Sequence, residues 1–324
     1  MKKKIIIDTD PGIDDALAIL LAEAIKEYEI LGITLVSGNV HADQGLINLF
    51  RLSKVLGKKF PIYKATTKPL VRPFVDAKET HGEDGFGETY LDYEEYEYRK
   101  DGIDFIIDTL KETKEEVTIF ALGPLTNIAT ALQKDPKAFE KARIISMGGA
   151  FKSHGNCSPV AEYNYWVDPH GADYCLQHLP RPLEIVPLDI TREFLLTPSM
   201  ISFMKRMDPN TGELVEKLTN FYMDFHWEYE ENIGSVINDP VTMLVDRCPE
   251  LFTASAYYCE VDTEGKAMGM LIVDEYHFYK KKPNALIYET IDAKEAMISY
   301  LKFMFGDHPA IEQKRGSYLY EFQY

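Results

Sequence analysis

Short runs of apolar, β-branched residues alternate with longer amphipathic stretches over the first half of the chain, and a polar cluster follows almost every run. This alternation constrains the fold more than any other feature, because it implies parallel strands joined by crossover helices. The strand-like runs are 4–7, 30–36, 61–63, 117–121, 143–147 and 183–187. Helical patterns occupy 16–24, 43–56, 103–112, 125–132 and 169–179. The second half changes character. Helices are expected there at 211–232, 240–246 and 293–305, and strands at 254–261, 268–273 and 285–289. The expected fold is α/β, a mostly parallel open sheet with helices on both faces and a small antiparallel extension in the C-terminal half. No repeat or low-complexity linker divides the chain, so 1–324 is expected to form a single domain. The connection 66–88 is long for a structureless loop, and such loops often bind ligands.

In an open parallel sheet the ligand crevice lies beyond the carboxyl ends of the strands. The first strand-like run ends in I-D-T-D-P-G-I-D-D-A at 7–16, which places Asp8, Asp10, Asp14 and Asp15 at that end of the sheet. Helix capping accounts for one or two of them. Four acids so close repel one another, and a hard cation with oxygen ligands relieves that repulsion.

Composition limits the partners. Asp and Glu number 52 against 35 Lys and Arg, a net charge of −17 that disfavours nucleic acid. No apolar run is long enough for a membrane helix, and the start lacks a signal peptide's apolar stretch. Cys157, Cys175, Cys248 and Cys259 match neither zinc-knuckle nor C-x-x-C spacing, so a reducing, cytoplasmic setting is expected.

Further polar clusters share the same topological address. Asn39 closes S-G-N at 37–39, Thr126 lies in G-P-L-T-N at 123–127, and Met147 opens M-G-G at 147–149. His81 begins the glycine-spaced H-G-E-D-G-F-G. Asn156, Glu162 and Asn164 lie in N-C-S-P-V-A-E-Y-N, the last two on one face if the segment is extended. Asn238-Asp239-Pro240 reads as a helix start, with Asp239 also placed to complete a metal site from a distance.

In their order these motifs resemble the inosine–uridine-preferring nucleoside hydrolase family, over most of the chain. The resemblance implies a calcium-dependent enzyme that splits a neutral ribonucleoside into free base and ribose. By position, Asp10, Asp15, Asp239 and the Thr126 carbonyl would hold the ion, with Asp10 activating a water on it. Asp14, Asn39, Asn156, Glu162 and Asn164 would grip the ribose, Met147 would pack beside the sugar, and His81 would lie near the base. A homodimer or homotetramer is the implied assembly.

One position departs from the pattern. Pyrimidine-cleaving members carry a histidine before the last aspartate, a catalytic position that protonates the leaving base, and here it is Asn238. An amide donates a hydrogen bond but delivers no proton at neutral pH. Tyr222, His226, Trp227, Tyr229 and His81 are the candidate replacements. Two other readings compete: a calcium-dependent ribose- or nucleoside-binding protein without turnover or a weakly active homologue with an altered substrate, and a haloacid-dehalogenase-type phosphohydrolase with Asp8 as nucleophile. The P-G-I-D-D continuation argues against the second.

Overall fold

Ile5 and Ile7 enter one core and Ile6 the other, and all three are fully buried. A strand apolar on both faces belongs inside a sheet covered on both sides. The computed structural model describes residues 2–315 and puts the strand there. Met1 and residues 316–324, the ends of the expected 1–324 domain, lie outside the described residues.

The first half runs β1 (Lys3–Thr9), α1 (Ile13–Ala24), β2 (Tyr28–Leu35), α2 (Ala42–Leu56), β3 (Ile62–Lys64), α3 (Lys78–His81), α4 (Gly102–Glu112), β4 (Val117–Ala121), α5 (Thr126–Lys134) and β5 (Arg143–Met147). Then come α6 (Tyr163–Val167), α7 (Pro169–His178), β6 (Leu183–Val186), α8 (Leu188–Thr191), β7 (Leu195–Leu196), α9 (Pro198–Met207), α10 (Pro209–Glu230), β8 (Ser235–Val236) and α11 (Pro240–Arg247). The chain continues with β9 (Phe252–Tyr257), β10 (Cys259–Val261), β11 (Leu271–Val273), β12 (Ala285–Ile291), α12 (Ala293–Phe305) and α13 (Pro309–Gln313).

Eight strands form one sheet in the order β3-β2-β1-β4-β5-β6-β12-β9. All neighbours pair in parallel except β12 with β9 at the edge. The chain winds outward from β1 to β3, then crosses back and winds the other way from β4. The order therefore reverses between β1 and β4, where a crevice opens at the strand ends. One core gathers α1, α2 and α9 to α12 with Ile5, Ile7, Ile33 and Leu35. The other gathers α4, α5 and α7 with Ile6, Ile119, Ile144 and Ile185.

The expected architecture is present, with local differences. The run 254–261 is two strands: β9 joins the main sheet, and β10 pairs with β11 in a separate antiparallel ribbon. β12 also enters the main sheet, parallel to β6, because its apolar residues are shared between the two cores. Helix α9 was not anticipated, although Thr197 caps it and Pro198 occupies its first turn, a recognisable start. Among the described residues no helix is long and apolar enough to cross a membrane.

Candidate active site

Strand β1 delivers Asp10 to the crevice, and the Pro11–Gly12 turn starts α1 so that Asp14 and Asp15 fall in its first turn. Asp15 accepts the Gly12 N–H at 2.9 Å, the Asn39 amide at 3.0 Å and the Thr9 hydroxyl. Asp10 Oδ2 accepts the backbone N–H of Asn39 at 2.6 Å, whereas its Oδ1 is buried without a partner. Two glycines make room for this carboxylate. A Cβ on Gly38 would stand 2.0 Å from Asp10 Oδ2, and one on Gly123 2.3 Å from Oδ1.

Asp239 arrives from the other end of the sequence, immediately before α11. Asp14, Asp15 and Asp239 each offer a carboxylate oxygen within 4.8 Å of the others. Loss of water pushes Asp10, Asp14, Asp15 and Asp239 above the usual carboxylate range. Mutual repulsion adds to it: Asp15 and Asp14 act on Asp10, and Asp14, Asp15 and Asp10 act on Asp239. The donor set and the orphaned oxygens fit a hard cation. Asp8 takes no part. One of its oxygens accepts from the Thr34 hydroxyl at 2.5 Å and from Asn127 at 2.7 Å, which ties Asp8 to β2 and α5.

Above the aspartates lies a cleft of about 310 Å³ lined by Asp14, Asn39, His81, Met147, Asn156, Glu162, Asn164, Asn238 and Asp239, among others. Glu162 caps α6, accepting the amides of Asn164 at 2.8 Å, Tyr165 at 3.2 Å and Gly149 at 2.9 Å. Burial still pushes its pKa up to about 7. Asn164 donates to the Leu122 carbonyl at 2.7 Å and the Met147 carbonyl at 3.2 Å. Asn156 Oδ1 accepts the Tyr163 N–H at 2.9 Å from an exposed position at the rim.

Thr126 is not brought to the cleft. It is the first residue of α5, so its carbonyl points along the helix and accepts the Thr130 hydroxyl at 2.7 Å. Its own hydroxyl donates to Asp168 at 2.5 Å. The residue of this segment that lines the cleft is Leu122, at the end of β4.

The inosine–uridine preferring nucleoside hydrolase profile matches residues 5–297. The chain belongs to this family. It is 33% identical over 309 residues to the pyrimidine-specific ribonucleoside hydrolase RihA of Klebsiella pneumoniae, covering 93% of this chain and 97% of that one. An uncharacterized Schizosaccharomyces pombe protein is 35% identical over 297 residues, covering 90% and 96%. Of solved structures, a plant nucleoside hydrolase superposes with a TM-score of 0.88 at 29% identity, covering 94% of this chain and 99% of that one. A purine-preferring ribonucleoside hydrolase from Gardnerella vaginalis gives 0.86 at 28%, covering 94% and 98%. As a nucleoside hydrolase, the chain is an enzyme of the class that cleaves N-glycosyl bonds.

The wall of this nucleoside hydrolase cleft away from the sheet comes from α3 and α10, as His81, Tyr222, Phe225, His226 and Tyr229. Trp227 is 60% exposed and does not line it. His81 Nδ1 accepts the Ile13 N–H at 3.2 Å, its ring lies 5.4 Å from that of Tyr222, and burial draws its pKa down to about 4. Phe225 and Arg192 were missed by sequence reasoning. Arg192 forks onto the carbonyls of His154 at 2.7 Å and Gly155 at 3.1 Å and lies 3.8 Å from Glu230, tying the rim loop to the end of α10. No local motif marks it.

Proposed function

We propose that the chain hydrolyses the N-glycosidic bond of a ribonucleoside to free base and ribose, with calcium as its cation. The observation that carries this reading is the buried carboxylate set with orphaned oxygens, Asp10 Oδ1 and Asp14 Oδ1, beneath a cleft of nucleoside size. Asp10, Asp15 and Asp239 would hold the ion. The Leu122 carbonyl replaces that of Thr126 as the neutral ligand, because it lies on the cleft side of the segment. The chemistry such an ion would supply there is Lewis-acid lowering of the pKa of water.

The chain's own groups do the rest. Asp10 takes the proton of the attacking water. Asp14, Asn39, Asn156, Glu162 and Asn164 receive the ribose hydroxyls and fix the sugar for attack, with Met147 against its apolar side. Breaking the C1′–N bond leaves positive charge on the ribose, which Asp14, Asp239 and Glu162 stabilise. The base falls against the aromatic wall of α10. A cytoplasmic homodimer or homotetramer accompanies this reading, and light scattering checks the assembly.

The test is a panel of purine and pyrimidine ribosides scored for free ribose, with calcium and with a chelator. Ribose should appear only with calcium, and Asp10→Asn should abolish it while circular dichroism is unchanged. Near-normal turnover in Asp10→Asn would sink the mechanism. Tight binding measured by calorimetry without ribose release would favour a binding protein.

A further inference from the structure

Asn238 is held in one orientation. Its Nδ2 donates to Asp14 Oδ2 at 3.1 Å and to Tyr222 Oη at 3.3 Å. Flipping the amide would set its oxygen against a carboxylate oxygen. Oδ1 is therefore the atom left over, buried and without a partner, on a residue that lines the cleft. Where a proton donor to the base would stand, the chain has an amide whose buried oxygen is left without a donor.

The neighbouring histidines do not supply the missing acid. An imidazolium at His81 would need a hydrogen on Nδ1, which already accepts the Ile13 N–H. His226 Nδ1 lies 2.7 Å from the Tyr222 carbonyl and carries a hydrogen, while its Nε2 faces Glu230 at 3.8 Å. Burial draws both rings below the usual histidine range and pushes the Tyr222 phenol up.

What this wall does offer is a place for positive charge. The rings of Tyr222, Phe225 and Tyr229 line it together with the carboxylates of Asp14, Asp239 and Glu230. The cation at its rim, Arg192, is engaged by loop carbonyls and Glu230.

We propose that the preferred substrates are cationic N-ribosides whose base departs as a neutral heteroaromatic, with Asn238 as the specificity-determining acceptor. Ribosyl-pyridinium and N7-alkylated purine ribosides are the two chemical forms of this class. The inference rests on the N-ribosyl hydrolysis proposed above and replaces the neutral nucleoside expected from sequence with a charged one. The C1′–N bond breaks with both electrons passing to the ring nitrogen, which neutralises the cationic ring. A water oxygen forms the new C1′–O bond, and the released proton passes to Asp10. No proton is delivered to the base. A neutral nucleoside would instead expel an anion, without the roughly 10²–10⁴-fold help that a general acid gives. Asn238 Oδ1 accepts from an N–H of the departing base, such as the carboxamide of a nicotinamide ring.

The experiment compares kcat/KM of the full chain with calcium on inosine, 7-methylinosine and nicotinamide riboside, and repeats it with Asn238→His. Wild type should favour 7-methylinosine over inosine by about 100-fold or more. Asn238→His should narrow that ratio at least about tenfold, by raising kcat on inosine rather than lowering its KM. The greater intrinsic lability of the methylated substrate is common to both proteins, so the change in ratio isolates residue 238. Comparable wild-type kcat/KM on the two inosines, or a ratio unmoved by Asn238→His, would overturn the proposal. Release of ribose from no riboside at all would instead overturn N-ribosyl hydrolysis itself.

Discussion

The backbone N–H of Asn39 meets Asp10 Oδ2 at 2.6 Å, so the end of β2 fixes a carboxylate that belongs to the end of β1. Asp10 is also confined sterically, because Gly38 and Gly123 close around its two oxygens. Gly123→Ala should push the carboxylate out of line. A displacement of about 1 Å can cost on the order of 10² in rate, so kcat/KM should fall by about 100-fold or more. The fold should survive, since Gly123 has no positive φ. Steady-state kinetics alongside circular dichroism checks both halves.

Metal and pH should act on stability together. Burial raises the folded-state pKa of Asp10, Asp14, Asp15 and Asp239 above the ordinary value of 3.8. Their contribution to metal-free stability is therefore fully present below the unfolded value and is lost as pH rises through the folded one. A cation binds the ionised form and offsets the loss. The Tm difference between excess calcium and excess chelator should widen from about pH 5 to about pH 8. A constant difference across that window, in a thermal-shift series, would count against this cation site.

Glu162 serves the local fold as well as the cleft. Both its oxygens accept backbone amides, three in all. Glutamine offers one oxygen and turns an amide NH₂ toward donors that had been satisfied. Glu162→Gln should cost about 1–3 kcal/mol in a denaturant melt. It should also raise KM for the riboside, because the shifted turn carries Asn164. Unchanged stability with only KM affected would show that the capping bonds are dispensable.

Thr126 offers the opposite case. Its hydroxyl bonds to buried Asp168, away from the aspartate cluster. Thr126→Val should destabilise by about 1–2 kcal/mol and leave calcium affinity within about twofold. An unchanged denaturant melt would show that the hydroxyl bond to Asp168 is dispensable.

The fold was legible because the strands of a parallel sheet are apolar on both faces and therefore stand out as continuous runs. The exceptions are informative. A run such as 254–261 carries no mark of the break at Tyr258, since an apolar residue leaving one strand looks like one continuing it. The candidate site was legible where several polar residues crowd one turn, as at Asp10, Asp14 and Asp15. It was less so where one backbone atom matters. Sequence names Leu122 and Thr126 equally, and the direction of a carbonyl emerges only once α5 is known to begin at Thr126. Arg192 and Phe225 belong to segments shaped by tertiary packing, so nothing local announces them.

The cleft has two walls of different origin. Its floor is assembled from the ends of β1, β2, β4 and β5, so a change there disturbs several strands at once. The wall away from the sheet belongs largely to one helix, α10, anchored by Leu214, Val215 and Leu218 on its buried side. Phe225 and Tyr229 can be exchanged without touching the strand ends, whereas Tyr222 is bonded to Asn238 and through it to Asp14. Such a division would let the released base change through one helix while the strand ends stay as they are.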